Sequence, residues 1–108
     1  MYLVTANVSA GAMDELKEAL LQLDVPRLRV AAVNGYTRGH ERELFYRGVR
    51  HVVDLFPEVE VQTVVCDEAV DEVVGAILRA AQHLRGDGYV VVTPVDQCYR
   101  IRNGMREL

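Results

Sequence analysis

Two strand-helix-strand units follow one another along this chain. The strand-like segments are residues 2–8, 28–33, 59–65 and 89–93, and the helical ones are residues 12–23 and the stretch between a cap at Asp67 and a stop at Gly86. In both helices apolar residues recur at steps of three and four, which predicts one buried stripe on each. Because crossovers between neighbouring strands are short and right-handed, the two units predict an antiparallel four-stranded sheet with both helices on one face.

That arrangement is a ferredoxin-like βαββαβ sandwich of the α+β class, and its helices cover only one face of the sheet. The strands nevertheless carry apolar residues in both directions, as in Val64-Val65 and Val90-Val91-Val92. An apolar face of this kind has to be covered, so we expect the protein to self-associate. A short fifth strand, residues 98–102, is expected to close the chain.

A polar, charge-rich segment of about twenty residues joins the second strand to the third, whereas connections in compact domains usually have about two to six residues. Leu44, Phe45 and Tyr46 stand in it among arginines such as Arg47 and Arg50. This mixture is unlike the composition of disordered segments, which have few aromatic residues. We therefore expect a long functional loop, about residues 37–55, that docks onto a partner.

The composition sets the broad class of the protein. A chain of 108 residues, 50% of them hydrophobic, predicts a single domain, residues 1–108, that buries a core. The formal net charge of −4 argues against nucleic acid as a partner. The first residues have the pattern of neither a signal peptide nor a membrane span, so a cytoplasmic location is expected.

Two further expectations come from reactive side chains. No cysteine or serine nucleophile stands beside an evident base, so we do not expect an enzyme. Cys66 and Cys98 lack the spacing of a zinc site or a disulfide framework, and we expect both to be small buried residues.

Arginines and glycines in the second half of the chain indicate a phosphate site. Arg100 and Arg102 are two residues apart, so on a strand both side chains would leave the same face, roughly 7 Å apart. Arg85 precedes Gly86-Asp87-Gly88, whose glycines allow backbone N–H groups to turn towards an anion. An ordinary turn and a solvated arginine face would explain the same residues.

Several runs of residues also carry a resemblance to a known family. They are Gly35-Tyr36-Thr37-Arg38, Leu44-Phe45-Tyr46-Arg47-Gly48, Val52-Val53-Asp54-Leu55-Phe56-Pro57, Gly86-Asp87-Gly88 and Arg100-Ile101-Arg102-Asn103-Gly104. In content and spacing they resemble the PII nitrogen-regulatory signalling proteins, over nearly the whole chain. The resemblance implies a homotrimer whose sheets pack around a central axis, with nucleotide sites in the clefts between subunits.

The resemblance also implies the ligand and its contacts. The ligand is ATP or ADP, which acts as an effector and not as an obligatory cofactor. The residues that match the family's nucleotide ligands are Gly35, Arg38, Gln62, Val64, Arg85, Gly86, Asp87, Gly88, Arg100 and Arg102. The long loop would regulate a target protein, a transporter or an enzyme of nitrogen or carbon metabolism, through Tyr46, Arg47 and Gly48.

Other positions depart from the family pattern at the ligand site. Arg27 and Arg29 replace a small residue and an adenine-contacting threonine, and Tyr89 replaces a phosphate-contacting lysine. Loss of that lysine favours a ligand with fewer phosphates. Gly39 and Glu58 replace the magnesium and carboxylate ligands with which relatives bind 2-oxoglutarate, so we expect no 2-oxoglutarate response.

The loop departs from the family pattern as well. His51 and Val49 occupy the positions that some relatives uridylylate or phosphorylate, so we expect neither modification. Two histidines, His40 and His51, are candidate metal ligands, although no HxH or HxxxH spacing joins them. Two alternatives therefore stay open: a divergent trimer that senses a metal ion, bicarbonate or AMP, and a structural trimer without a small ligand.

Overall fold

The computed structural model describes residues 1–23, 25–39, 42–82 and 88–107. Within these ranges the chain forms the helices and strands β1 Tyr2–Val8, α1 Met13–Leu21, β2 Arg29–Gly35, β3 Arg42–Tyr46, β4 Val49–Val53, β5 Phe56–Val65, α2 Val70–Gln82 and β6 Val90–Pro94. No helix in the described ranges has both the length and the apolarity needed to cross a bilayer.

Four of the strands form one antiparallel sheet in the order β2-β5-β1-β6. β1 lies inside this sheet, and its Val4 pairs with Thr63 of β5 on one side and with Val92 of β6 on the other. β2 pairs with the outer side of β5, for example Val30 with Val61. The mixed α/β arrangement is consistent with the predicted ferredoxin-like sandwich.

Both helices pack on the same face of the sheet, as the apolar periodicity predicts. Leu16 and Leu20 of α1 are buried completely, and Val73 and Ile77 of α2 are buried in the same cluster. Alternate residues of the central strand, among them Val4, complete this core. The stripes predicted from sequence are therefore confirmed, with Met13, Leu23, Val70, Val74 and Ala81 at the edge of the cluster.

The chain enters each helix differently from the prediction. A short 3-10 turn precedes each helix, Ala10–Ala12 before α1 and Asp67–Ala69 before α2. Cys66, not Asp67, is the residue at the cap position, and it makes no side-chain cap hydrogen bond. The two cysteines are free, but Cys66 is exposed, so the expectation that both are buried is wrong.

The segment predicted as a long loop contains a β-hairpin. β3 and β4 pair with each other from Arg42–Val53 to Tyr46–Val49 and form a separate two-stranded sheet. Arg47 and Gly48 both have positive φ, 51° and 77°, as a two-residue type I′ turn requires. The hairpin projects from the sandwich, since the radius of gyration is 17.1 Å, against about 13 Å for a compact domain of this length.

The predicted fifth strand is also replaced by a different structure. Residues 98–107, the C-terminal loop, fold back on themselves, with a single bridge between Tyr99 and Arg106. The Arg100 N–H donates to the Met105 carbonyl at 2.9 Å, and the Gly104 N–H donates to the Arg100 carbonyl at 2.8 Å. Gly104 has φ 67°, which glycine adopts readily. The loop is therefore a tight reversal and not an extended strand.

The core can be tested with two leucines of the same helix. We expect Leu16→Ala, at a completely buried position, to lower the free energy of unfolding by about 3 kcal/mol, because it leaves a cavity under the sheet. Leu21→Ala is the control, since Leu21 is 56% exposed, and should cost less than about 1 kcal/mol. Denaturant unfolding at one fixed protein concentration measures both. Equal losses would contradict the described core.

Candidate functional site

The sheet face that the helices leave uncovered is the candidate site, and we call it the open face. Strand residues alternate between the two faces, so the neighbours of the buried β1 residues in sequence lie on the open face. They include Leu3 and Thr5 of β1 and their cross-strand partners Val64, Gln62 and Val91. Val64 is 40% exposed and Val91 51% exposed in the single chain, so the face is partly apolar and accessible.

Gln62 lies in the middle of the open face, between two side chains from neighbouring strands. Its Nε2 donates a hydrogen bond to Oγ1 of Thr5 at 3.4 Å. On its other side the cross-strand partner is Arg29 of β2, which is exposed. The carboxamide of Gln62 offers both donors and acceptors, which suits a polar heteroaromatic ring.

One end of the sheet carries the predicted glycine contacts, and we call it the hairpin end because β2 leads from there towards β3. Gly35 is the last residue of β2 and pairs with Phe56, the first residue of β5. The carboxylate of Glu58 lies directly over Gly35, so that a Cβ atom at this position would overlap it. Arg38 follows in an exposed turn. This end therefore combines a glycine covered by a carboxylate with an exposed arginine side chain.

Gly88 belongs to the same end of the sheet. Its Cα packs against the backbone carbonyl of Asn7, near the end of β1, and leaves no room for a Cβ atom. The Asn7 N–H donates to the Tyr89 carbonyl at 3.3 Å, which fixes this approach. The other three residues of the predicted glycine-rich turn, Arg85, Gly86 and Asp87, lie outside the described residues.

The opposite end of the sheet, where β1 begins and β6 ends, is the terminal end. Val64 lies there, paired with Leu3. The Val95 N–H donates to the Met1 carbonyl at 3.1 Å, so the C-terminal loop with Arg100 and Arg102 starts from this end.

The predicted ligand residues thus form two groups on one chain. The hairpin-end group is Gly35, Arg38 and Gly88. The terminal-end group is Val64, the mid-strand residue Gln62, and Arg100 and Arg102 of the loop that leaves the sheet from this end. Phe56, opposite Gly35, and Val64 are eight residues apart on one strand, which corresponds to roughly 26 Å. A single mononucleotide is too short to contact both ends of the same sheet. Gly35 and Val64 can therefore contact one mononucleotide only if they come from different copies of the chain, whereas Gln62 lies only two residues along the sheet from Asn7, against which Gly88 packs.

Arg100 already has an anionic partner in its own loop. Its Nε and Nη2 both donate to Oε1 of Glu107, each at 2.6 Å. Arg102 lies in the turn that follows, and its side chain is exposed. The expectation that both guanidiniums leave one strand face is therefore wrong, because this segment is a turn and not a strand.

The hairpin presents an accessible surface with a defined shape. Phe45 is 71% exposed and Tyr46 64% exposed, near the tip at Arg47 and Gly48. The Arg47 guanidinium carbon lies 5.5 Å from the centre of the Tyr46 ring, a cation–π geometry. An ion pair between Arg50 and Glu43 joins the two strands. These contacts order the predicted target-binding residues in the free chain.

The metal hypothesis gains no further ligands from the described residues. His51 is exposed in β4, where its cross-strand partner is Leu44. His40, the other candidate, lies outside the described residues. Among those that are described, no three histidine, cysteine or acidic side chains cluster in a way that could hold an ion.

Sequence reasoning missed two residues that the structure brings to the site. Thr5 contacts Gln62 only because β1 and β5 pair in one particular register, and no local pattern predicts that register. Glu107 contacts Arg100 because the loop reverses between them. A signal for this reversal exists in the sequence, since Asn103-Gly104 is a dipeptide typical of tight turns.

These features define a small α+β sandwich with an accessible sheet face and a projecting hairpin. Its family follows from the sequence: residues 1–105 match the family described as nitrogen regulatory protein P-II, and the chain belongs to that family. It is 37% identical to a nitrogen regulatory protein P-II of Cereibacter sphaeroides and 38% identical to one of Rhodobacter capsulatus, each over 94% of this chain and 91% of the relative. A protein of the same name from Rhodospirillum rubrum is 35% identical over 95% of this chain and 93% of its own length.

Membership confirms the resemblance found in the sequence motifs. P-II proteins are regulators by name, which gives coarse support to a signalling role and to the expectation that the chain is not an enzyme.

Gly88 provides a test of the hairpin end. We expect Gly88→Ala to destabilise the protein by about 1–3 kcal/mol, because its Cβ overlaps the Asn7 carbonyl and forces apart the backbone at the start of β6. Gly11→Ala is the matched control, since an added Cβ there meets nothing within 4 Å. Denaturant unfolding compares the two variants. Unchanged stability in Gly88→Ala would contradict the close backbone approach.

Proposed function

We propose that this chain forms a homotrimeric P-II signalling protein that binds ATP or ADP in clefts between its subunits and regulates a target through the β3–β4 hairpin. The observation that carries the proposal is the separation of Gly35, at the hairpin end of the sheet, from Val64 and the C-terminal loop, which leaves the sheet from the terminal end. A cleft between two copies joins the hairpin-end group of one chain to the terminal-end group of the next. Relatives named as nitrogen regulatory proteins support a role in nitrogen or carbon metabolism.

Self-association is supported by the open face. Side chains such as Val64 and Val91 stay accessible in the isolated chain, and burying them against other copies contributes about 25 cal/mol for each Å² of apolar surface removed from water. The trimeric state itself comes from the family resemblance. A closed ring of three copies gives three equivalent clefts, each with both groups.

The two groups supply complementary chemistry to a nucleotide. The terminal-end group brings the carboxamide of Gln62 with the guanidiniums of Arg100 and Arg102, which suit phosphate oxygens through planar paired donors. The hairpin-end group brings the exposed side chain of Arg38, next to Gly35, where the space left by the missing Cβ is occupied by the Glu58 carboxylate. In this assignment, the side chains that contact the base and the phosphates are either hydrogen-bonded or exposed in the isolated chain.

Ligand binding would affect the position of the hairpin through the segment that joins the hairpin to the sheet. After β2 ends at Gly35, the chain runs through Arg38 towards β3, and the Arg42 guanidinium carbon lies 5.7 Å from the centre of the Phe56 ring at the start of β5. A phosphate held by Arg38 therefore constrains the segment that joins β2 to the hairpin. The nucleotide shifts the hairpin only as far as it binds one hairpin position more tightly than another.

The hairpin itself is the proposed contact with the target protein. Exposed aromatic residues and arginines are the side chains that most often dominate protein interfaces, and Tyr46 and Arg47 stand together at the tip. The target, in this proposal, is a transporter or a metabolic enzyme. The cytoplasmic location of this contact stays a prediction.

We also propose that 2-oxoglutarate does not act on this protein. The Glu58 carboxylate lies over Gly35, where its negative charge repels a dicarboxylate. Gly39 offers no side-chain oxygen to a magnesium ion. AMP is the second candidate ligand, favoured by Glu58 and Glu107, because carboxylates beside both groups penalise each additional phosphate charge.

Calorimetric titration tests the ligand. We expect ATP or ADP to bind with a micromolar dissociation constant that 2-oxoglutarate with magnesium leaves unchanged. Arg100→Ala should weaken binding about tenfold or more, because a charge-assisted contact to phosphate is lost. Arg79→Ala, an exposed arginine at the end of α2, is the charge-matched control. If titration with ATP, ADP and AMP gives no heat of binding, the ligand-free structural trimer is favoured. A strong effect of 2-oxoglutarate on nucleotide affinity would refute the proposal that 2-oxoglutarate does not act on this protein.

A mixing experiment tests whether the clefts lie between subunits. Arg38→Ala removes the hairpin-end arginine and Arg100→Ala the terminal-end arginine, so neither variant alone has an intact cleft. Unfolding and refolding a 1:1 mixture should restore about a quarter of the clefts, because random assembly sometimes brings the intact half of each chain together. Titration measures the recovered sites, and sedimentation measures the oligomeric state. Recovery of none would place both arginines on one chain's own site.

A further inference from the structure

In the C-terminal loop, the carboxylate of Glu107 is paired with Arg100, which is a candidate phosphate ligand. Glu107 Oε1 accepts two hydrogen bonds from the Arg100 guanidinium, each at 2.6 Å. The Glu107 and Arg100 side chains are 37% and 53% exposed, so both remain accessible to water. An incoming phosphate would therefore meet a guanidinium that already has a neighbouring anion.

The backbone of the loop fixes this pair. The Glu107 N–H donates to the Cys98 carbonyl at 2.7 Å, and the Arg100 N–H donates to the Met105 carbonyl at 2.9 Å. At the turn, the Asn103 side-chain oxygen accepts a hydrogen bond from the Met105 N–H at 2.9 Å. These bonds hold Glu107 next to Arg100 even if their side chains separate. The carboxylate stays near the site when the phosphate displaces it.

A fixed carboxylate distinguishes ligands by their charge. Its repulsion on a bound phosphate group grows with the number of negative charges on the ligand. ATP carries more charge than ADP, and ADP more than AMP, so the same carboxylate disfavours ATP most. Neutral parts of the ligand, the base and the ribose, are unaffected.

We propose that Glu107 is a specificity-determining residue that shields Arg100 and shifts the preference of the site towards adenylates with fewer phosphates. The inference rests on the proposed nucleotide function and adds to it the residue that sets the phosphate preference. Glu107 contributes by competing for Arg100 and not by contacting the nucleotide base.

The test is calorimetric titration of Glu107→Gln and of wild type with ATP, ADP and AMP. Glutamine keeps the size of the side chain and removes its charge. We expect affinity to rise about fivefold for ATP, less for ADP and about twofold or less for AMP, the range that a surface ion pair allows. The gain for ATP should shrink at high salt, since added ions screen charges near the surface.

Two further variants serve as controls. Glu18→Gln removes the same charge from an exposed position on α1 and should leave all three affinities unchanged. Glu107→Ala should repeat the gain for ATP, and thermal unfolding of each variant checks that it folds as wild type does. A purely structural role of Glu107 would instead weaken all three ligands alike and would not depend on salt.

The outcomes separate this inference from the proposed function. If wild type binds adenylates and Glu107→Gln has the same affinities, or loses affinity for all three, Glu107 does not set the preference and only the inference fails. If neither protein binds any adenylate, both fail. If Glu107→Gln binds ATP and wild type does not, the result supports the inference in its strongest form.

Discussion

β1 has hydrogen-bonded neighbours on both sides, and its pairings with β5 and β6 determine which residues of these strands face the helices. Its register with β5 and β6 sends Val4 and Ala6 under the helices, where both are 1% exposed. A slip of one residue would turn Leu3 and Thr5 towards the core and Val4 towards the open face. The buried side therefore also fixes the open face. Gln62 and Val64 reach that face because their partners in β1 are held in this register.

The strength of a sequence pattern decides how much of this structure can be predicted from the chain. Periodic apolar residues such as Leu16 and Leu20 predict the helices and the buried sheet face, since burial imposes the period. The hairpin has no such pattern, because all five residues of β3 are exposed and no core selects one face. Its turn, Arg47-Gly48, also lacks the asparagine or aspartate that usually marks a type I′ turn.

The site is harder to predict than the sandwich, because it depends on contacts between distant parts of the chain. The motifs around Gly35 and Arg100 are local and resemble the family signature directly. Strand register determines how far apart these residues lie along the sheet, and it therefore divides the matched residues into two groups. Thr5 and Glu107 have no motif at all. They enter only through a strand pairing and a loop reversal that place them beside Gln62 and Arg100.

Each of the two groups carries a carboxylate of the same chain, Glu58 over Gly35 and Glu107 on Arg100. In the proposed function, a phosphate that binds Arg100 would replace the Glu107 carboxylate, so the free energy of this contact would be a difference between two similar ion pairs. Such a difference is small. A small difference suits a regulator, because a site that is neither permanently filled nor permanently empty responds to changes in ligand concentration. In that proposal, Glu107 would weaken the contact with phosphate and would also keep the site sensitive to ligand concentration.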